Sequence, residues 1–325
     1  MKASSWLLAV AAMMPFAFAF APARAAENTK VSNAAIEARG LTLADFPRWK
    51  AVASNIYAYE GFHPSKVMNT VSLIVVTNDG VVLVDAMGDP DQGQKLVDNI
   101  KKLTPQPVKY LIVGSDHGDH MAGNGPLKAA WPGMTVISTP ASQKAMEKNA
   151  APPTELVTDK RTLAIGGTEI QILNLGRAHT GGDLVVYLPQ SKIMFMSEVY
   201  LRGVFPAMRS AYPTEWVATI KKAQAMNANL YIAGHGWVDD PAAMKSGLED
   251  FRVAVEAVIK EAKRLHAAKV PCAPAPAAAA GAPPPPPCEA VQKANWGPAN
   301  DLALKDSQAQ IALLKVYQEA DGKLP

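Results

Sequence analysis

Gly114-Ser115-Asp116-His117-Gly118-Asp119-His120-Met121-Ala122-Gly123-Asn124 follows directly on the apolar run 110–113, which has the pattern of a β-strand. Neutral imidazole and carboxylate groups are the ligand types that suit zinc and iron. A turn that follows a strand can direct successive side chains towards one point. His117, Asp119 and His120 therefore form a candidate metal-ligand cluster. Short clusters of this kind also occur on solvated loops. Further candidate ligands elsewhere in the chain are therefore needed to support a metal site.

Further candidate ligands occur downstream, at the ends of predicted strands or in the turns that follow them. His179 lies in the run GRAHTGGD, Glu198 follows the predicted strand 193–196, and His235 lies in the run AGHG. Small residues beside these histidines leave room for a ligand to approach the backbone. The chain has six histidines, and we expect the other two to lie outside the centre. Those two are His63, expected in a surface loop, and His266, expected near the end of a helix.

Short β-type runs alternate with helical segments between about residues 55 and 231, which is typical of an α/β protein. The run Asn78-Asp79-Gly80 predicts a hairpin turn, because Asp-Gly readily adopts the positive φ angles of a tight turn. The predicted strands are 56–59, 71–77, 81–85, 110–113, 135–138, 169–173, 184–188, 193–196 and 231–233. The predicted helices are 91–103, 126–130, 142–149, 213–226, a long one over 242–268 with one apolar stripe for the core, and 303–320.

With these motifs in place, the sequence closely resembles the metallo-β-lactamase superfamily over roughly residues 55–268. The resemblance rests on the hairpin that ends in Val84-Asp85-Ala86, the H-x-D-H run, the stretch AHTGGDLVVYLP and the run AGHG. It implies an αββα sandwich, in which two mixed β-sheets are flanked by helices. It also implies a metal site at one edge of the sheets and a hydrolase that acts on a small molecule.

The resemblance divides the candidate ligands between two metal positions. His117 and His179 match the ligands of a first metal, and Asp119, His120 and His235 match those of a second. One or two Zn²⁺ ions are the expected cofactor.

Two carboxylates complete this pattern and one residue departs from it. Glu198 stands where the family commonly has an aspartate that bridges both metals, and Asp85 matches an aspartate that supports the ligand loop. Ser115 stands where the family's first motif histidine is usual. A hydroxyl is a weak zinc ligand, so we expect the first position to bind metal loosely. Ser115 could instead hydrogen-bond a metal-bound water, or be a change in a site that no longer needs its first metal.

Two mechanisms remain open, and the candidate catalytic residues are His117, Asp116 and Asp119. With one metal at the second position, His117 or Asp116 would serve as general base for a water. With two metals, a hydroxide between them would attack the carbonyl directly. Asp116 could also be an added ligand that compensates for Ser115.

The leading hypothesis is an exported zinc-dependent hydrolase that acts on an ester, lactone, thioester or amide, the β-lactam amide included. The alternative is a degenerate metal-binding or partner protein without hydrolase activity, which Ser115 and Glu198 motivate. An iron-dependent oxygenase is less favoured, because related oxygenases are expected to use the ligand set that Ser115 disrupts. The formal net charge is only +3 and the sequence shows no basic patch, so we expect no nucleic-acid partner.

The first 25 residues have the pattern of a cleavable signal peptide. Lys2 precedes an apolar stretch over 6–20, and Ala23-Arg24-Ala25 places small residues at the two positions that signal peptidase inspects. A membrane anchor is less favoured, because a span needs about 20 apolar residues. We expect a periplasmic or secreted protein whose metallo-β-lactamase-like domain covers 26–270.

Two cysteines, Cys272 and Cys288, flank a segment rich in proline and alanine over 271–288. That composition favours an extended or polyproline-like conformation. In an exported protein a disulfide between them would stabilise the fold by roughly 3 kcal/mol for a loop of about 15 residues. Two free thiols are the alternative. A helical extension over 289–325 is expected to follow.

Overall fold

The computed structural model of the protein describes residues 33–62, 68–274 and 286–325. The predicted signal peptide, His63 and the middle of the proline-rich segment lie outside these ranges. In the part of the chain that is described, no helix is both long and apolar enough to cross a membrane.

The first sheet has seven strands and is mixed. In spatial order they are β1 (Arg48–Ala53), β2 (Ile56–Phe62), β3 (Asn69–Thr77), β4 (Gly80–Val84), β5 (Val108–Ile112), β6 (Thr135–Ser138) and β7 (Glu155–Leu156). The strands β1 to β4 pair antiparallel, whereas β4 to β7 pair parallel. The predicted hairpin turn joins β3 to β4.

The second sheet has five strands in the order β12, β11, β10, β9 and β8, and it is also mixed. These are β8 (Lys160–Ile165), β9 (Thr168–Leu173), β10 (Val185–Leu188), β11 (Ile193–Phe195) and β12 (Leu230–Ile232). Only the β11 and β12 pair is parallel. The expected αββα sandwich with two mixed sheets is confirmed.

Helices cover the outer faces of both sheets. In chain order they are α1 (Asn33–Ala38), α2 (Pro90–Leu103), α3 (Gly118–Met121), α4 (Asn124–Ala130), α5 (Pro140–Ala145), α6 (Pro213–Ala225), α7 (Pro241–Ala267), α8 (Glu289–Lys293) and α9 (Lys305–Ala320). Each of α2, α6 and α7 begins with a proline. Proline suits this position because a backbone N–H in the first turn would have no acceptor within the helix.

Alternate residues of the central strands divide the core into two layers. Leu73 and Val75 of β3 belong to the large cluster that includes the second sheet and the long helix α7, whereas Ile74 packs with α2 on the opposite face. Successive side chains of a strand point to opposite faces, so a strand buried on both sides separates two apolar layers. The predicted apolar stripe of α7 is buried, which confirms it as core packing.

Residues 289–325 form α8, a 3-10 turn (Gly297–Ala299) and α9, which docks on α7 through four buried residues. Those residues are Ala309, Ala312, Leu313 and Val316. A disulfide joins Cys272 to Cys288, so the start of this extension is covalently tied to the end of α7.

Candidate metal centre

The centre lies at the edge where the parallel strands β4 and β5 end. Asp85 follows β4 with a φ of 61°, and its Oδ1 accepts a 2.7 Å hydrogen bond from the backbone N–H of Gly114, which follows β5. The carboxyl ends of parallel strands meet at one edge of a sheet. The turn after β5 then enters the short helix α3, which carries Asp119 and His120.

Glu198 reaches the same edge from the second sheet. It lies in a 3-10 turn (Ser197–Val199) after β11, is buried, and faces the loop after β12 that carries His235. The N–H of Gly234 donates a 2.7 Å bond to the carbonyl of Ser197. A Cβ at Gly234 would lie 2.6 Å from the Ser197 backbone, so this close approach requires glycine.

One group of donor atoms comprises Asp119, His120, Glu198 and His235, whose ligand atoms lie within 4.8 Å of one another. The Nε2 of His235 is 3.1 Å from the Nε2 of His120, 3.3 Å from Asp119 Oδ2 and 3.4 Å from Glu198 Oε1. We call this group the second pocket. It contains the three residues that the sequence assigns to a second metal, together with the shared glutamate.

The outward-facing ring nitrogens of the second pocket determine what this pocket can hold. His120 Nδ1 lies 2.7 Å from Asp85 Oδ2, and His235 Nδ1 lies 2.5 Å from the carbonyl oxygen of Asn69. A carbonyl and an ionised carboxylate only accept hydrogen bonds, so both Nδ1 atoms carry protons. In neutral imidazoles both Nε2 lone pairs then point at each other and at two carboxylates. Such a set of lone pairs needs a cation, and a zinc ion fits it.

A second group of donor atoms, the first pocket, comprises His117, His179 and Glu198. His117 Nδ1 lies 2.8 Å from Glu198 Oε2 and 3.0 Å from His179 Nε2, which is 3.1 Å from Glu198 Oε1. Glu198 thus belongs to both pockets. The longer side chain of glutamate spans the two groups from the turn after β11.

Ser115 and Asp116 differ in how they relate to the two pockets. Ser115 is buried, and its hydroxyl donates a 2.5 Å hydrogen bond to Glu198 Oε2. Its oxygen also accepts a 3.3 Å bond from the N–H of His117. Asp116 belongs to neither donor group and is only half-buried. Its roles as general base or added ligand remain predictions.

The carboxylates make the centre strongly attractive to positive charge. Burial opposes protonation of His117 and His235, but Glu198 and Asp119 outweigh burial and raise the pKa of His117 to about 9 and that of His235 to about 10. Burial likewise opposes ionisation of Glu198, yet the neighbouring imidazoles hold its pKa well below the usual range. The pKa of Asp119 is also lowered. Protons and metal ions compete for these atoms, so the same field favours a bound cation.

Three residues that sequence reasoning did not single out hold the histidines in place. The side chain of Asn69 donates to Gly236 O at 2.9 Å and accepts from Gly236 N at 2.8 Å, which fixes the His235 loop. Ser210 Oγ lies 3.3 Å from His117 Nε2, and the Trp216 ring packs edge-on against His179 with centroids 5.0 Å apart. An asparagine, a serine and a tryptophan carry no ligand signal in the sequence. His266 pairs with Asp321 and belongs to neither pocket.

An αββα sandwich with two adjacent histidine and carboxylate pockets at one sheet edge is the arrangement of a metallo-β-lactamase-fold protein with a candidate metal centre. The family model described as the metallo-beta-lactamase superfamily matches residues 66–235, just over half of the chain. The chain belongs to this superfamily, as its sequence motifs predict.

Known proteins of this superfamily align with most of their length. The type 2 metallo-beta-lactamase of Bacillus cereus is 26% identical over 186 residues, which cover 55% of this chain and 72% of that protein. Metallo-beta-lactamase IND-1 of Chryseobacterium indologenes is 27% identical over 199 residues, which cover 59% and 82%. A solved metallo-beta-lactamase from Pontibacter korlensis superposes with a TM-score of 0.56 at 24% identity, and the match covers 62% of this chain and 98% of that one.

Proposed function

We propose that this protein is an exported, zinc-dependent hydrolase of amide or ester bonds, with β-lactam amides as the first substrate class to test. The observation that carries the proposal is the second pocket. There, acceptors behind His120 and His235 force both Nε2 lone pairs towards Asp119 and Glu198. The names of the relatives support a β-lactam substrate, since the similar proteins of Bacillus cereus and Chryseobacterium indologenes are metallo-beta-lactamases.

The residues of the centre would hold zinc in two positions of unequal strength. The tighter zinc ion would lie in the second pocket, where it would be held by Asp119, His120 and His235, with Glu198 shared. Three protein ligands and an open position suffice for a catalytic zinc site. Bound zinc lowers the pKa of water to about 7 and polarises a carbonyl oxygen.

Two carboxylates of the chain supply what the chemistry needs besides the metal. The lowered pKa of Asp119 keeps it ionised at neutral pH, and its side chain is 26% exposed, so one oxygen can accept a hydrogen bond from water in the cleft. Asp85 holds His120 in the tautomer whose Nε2 is free for a ligand. Asp116, beside the half-exposed His117, stays a candidate base.

Export is supported by the sequence. The N-terminal pattern of Lys2, an apolar stretch and an Ala-Arg-Ala site is typical of a signal peptide. The Cys272–Cys288 disulfide suits an oxidising compartment such as the periplasm.

The test is a hydrolysis screen on the mature chain, residues 26–325, with and without zinc. Nitrocefin, an aryl ester, a lactone and a thioester represent the substrate classes. We expect zinc-dependent turnover of at least one of them, lost on chelation and restored by zinc. His235→Ala should abolish turnover, whereas His266→Ala, a histidine deletion outside both pockets, should not. Zinc binding without turnover of any substrate would favour the non-catalytic metal-binding alternative, and absence of both would refute the proposal.

A further inference from the structure

The C-terminal extension, residues 289–325, contacts the segment that runs from Gly203 to Tyr212, which we call the wall segment. Ala303 of the extension donates a 3.0 Å bond to Gly203 O and accepts a 2.9 Å bond from Phe205 N. This is a short parallel β-bridge at Val204. The Phe205 ring also packs at 88° against buried Trp296, with centroids 5.6 Å apart. The extension therefore holds the beginning of the wall segment.

The extension also holds the chain just beyond the other end of the wall segment. There α6 begins, and its backbone N–H groups lack partners within the helix. Glu319 of α9 accepts a 2.9 Å bond from Thr214 N and a 2.6 Å bond from Thr214 Oγ1. Lys263 of α7 lies 3.5 Å from the same carboxylate. A carboxylate at a helix N-terminus is favoured by the helix dipole. Glu319 thus fixes the start of α6 to the extension.

Both histidines of the first pocket contact residues that these attachments hold. Ser210, in the wall segment, has its hydroxyl 3.3 Å from His117 Nε2. When Nδ1 of that ring, which faces Glu198 and His179, binds a metal ion, Nε2 carries the proton and can donate to this hydroxyl. Trp216, in the first turn of α6, packs against His179, and its Nε1–H donates a 2.9 Å bond to Val199 O.

The second pocket is supported differently. His120 is held by Asp85, which directly follows β4 of the first sheet. His235 is held by Asn69, which belongs to β3 of the same sheet. The first pocket has a serine where a third histidine would strengthen it. Its two remaining histidines gain most from being held in place, because ligand orientation sets metal affinity.

We propose that the C-terminal extension positions the first metal pocket, with Glu319 as the positioning residue that acts through Ser210 on His117 and through Trp216 on His179. The inference rests on the metal centre of the proposed function, and it assigns the extension a role in the affinity of one pocket and not the other.

The test compares Glu319→Ala with two further variants of the full mature chain. Glu319→Gln keeps acceptor and donor atoms for Thr214 and should behave nearly like the wild type. Glu289→Ala is the matched control, because Glu289 is a more exposed carboxylate of the extension and pairs only with Lys293 of its own helix in the described contacts. Glu319 is partly exposed at the surface, so its loss should leave the chain folded.

The first readout is the ¹⁵N spectrum of the imidazoles in zinc-saturated protein. In Glu319→Ala we expect the His117 and His179 signals to shift while those of His120 and His235 stay in place. Ser210→Ala should shift the His117 signal by itself, and adding Glu319→Ala should then shift that signal by less than it does in the wild type. This readout needs neither turnover nor a filled first pocket, so it holds even if the screen finds no hydrolysis.

The second readout is zinc affinity, measured by competition with a chelator. Loss of a direct outer partner of a metal ligand typically weakens binding 10–100-fold, so a residue one step further away should cost roughly 3–10-fold at the weaker site and under about 2-fold at the tighter one. Unmoved His117 and His179 signals in Glu319→Ala would overturn the proposal. So would equal weakening of both sites, or an equal effect of Glu289→Ala. If wild type takes up one zinc only, the imidazole spectra decide.

Discussion

The Ser115 hydroxyl donates a 2.5 Å hydrogen bond to Glu198 Oε2, the side chain that belongs to both donor groups of the centre. The serine that the sequence resemblance aligns with a metal ligand thus bonds the shared carboxylate. This pair links the ligand loop after β5 to the turn after β11. The first pocket has two histidines among the described residues, and this hydrogen bond ties its carboxylate to the ligand loop.

Replacing Ser115 by histidine should add an imidazole to the first pocket and raise zinc stoichiometry from about one towards two. The reason is that imidazole is a strong zinc ligand and a hydroxyl is a weak one. Metal analysis after dialysis against a weak chelator measures this. Ser115→Ala is the control, because it removes the hydrogen bond to Glu198 and adds no ligand. Equal stoichiometry in Ser115→His and the wild type would contradict the proposed weakness of the first pocket.

His120→Ala should remove the tightly bound zinc. His120 is fully buried between Asp85 and the second pocket, so its loss deletes one ligand and leaves the Asp85 carboxylate without an imidazole partner. Metal content and thermal unfolding with and without zinc measure the effect. His266→Ala should keep the wild-type zinc content. Retention of tight zinc in His120→Ala would show that the metal binds elsewhere.

Asp85→Asn should weaken zinc binding roughly 10–100-fold, the range for loss of an outer partner of a metal-bound histidine. Asn has nearly the same size and tolerates the positive φ at this position. Its carbonyl oxygen can still accept from Gly114, but the amide then presents N–H groups to Ser197 and His120. His120 would lose the acceptor that keeps its Nε2 unprotonated. Unchanged affinity by chelator competition would remove Asp85 from the account of the centre.

The stabilisation by zinc should grow as pH rises from about 6 to 9. Without metal, the folded-state pKa values of His117 and His235, about 9 and 10, lie above the unfolded value near 6.5. Protonated imidazoles therefore stabilise the metal-free fold fully below about pH 6.5, and this contribution is lost as pH rises through 9 to 10. Zinc must displace those protons, so the stabilisation of the fold by zinc is smallest at low pH.

The measurement for this pH dependence is the melting temperature of chelated and zinc-loaded protein at each pH. The difference between the two should widen towards alkaline pH. The matching His235→Ala variant should show a smaller change across the same range. A difference that narrows with rising pH would contradict the assigned proton competition.

Periodicity predicted nine of the described strands, including β12 at one edge of the second sheet, and missed three strands at the other edges. The strands that the sequence did not predict are β1, β7 and β8, each at an edge of its sheet. The β1 sequence RWKAVA and the start of β8 carry exposed charged residues, because an edge strand has a neighbour on one side only. The short helices α1, α3 and α8 were missed as well, since a helix of four to six residues has too few turns to show an apolar period.

The sequence by itself determined the superfamily and the candidate ligands. The H-x-D-H run, His179, Glu198 and His235 carry ligand chemistry at the ends of predicted strands or in their turns. The carboxyl ends of parallel strands meet at one edge of a sheet, as β4 and β5 do in the first sheet and β11 and β12 in the second. Only the tertiary structure decided that Ser115 bonds Glu198 and that Asn69 fixes His235. It also decided that Glu319 holds the start of α6. These contacts join residues 83, 166 and 105 positions apart, and pairing at such separations depends on how the sheets and helices pack, which local sequence patterns do not encode.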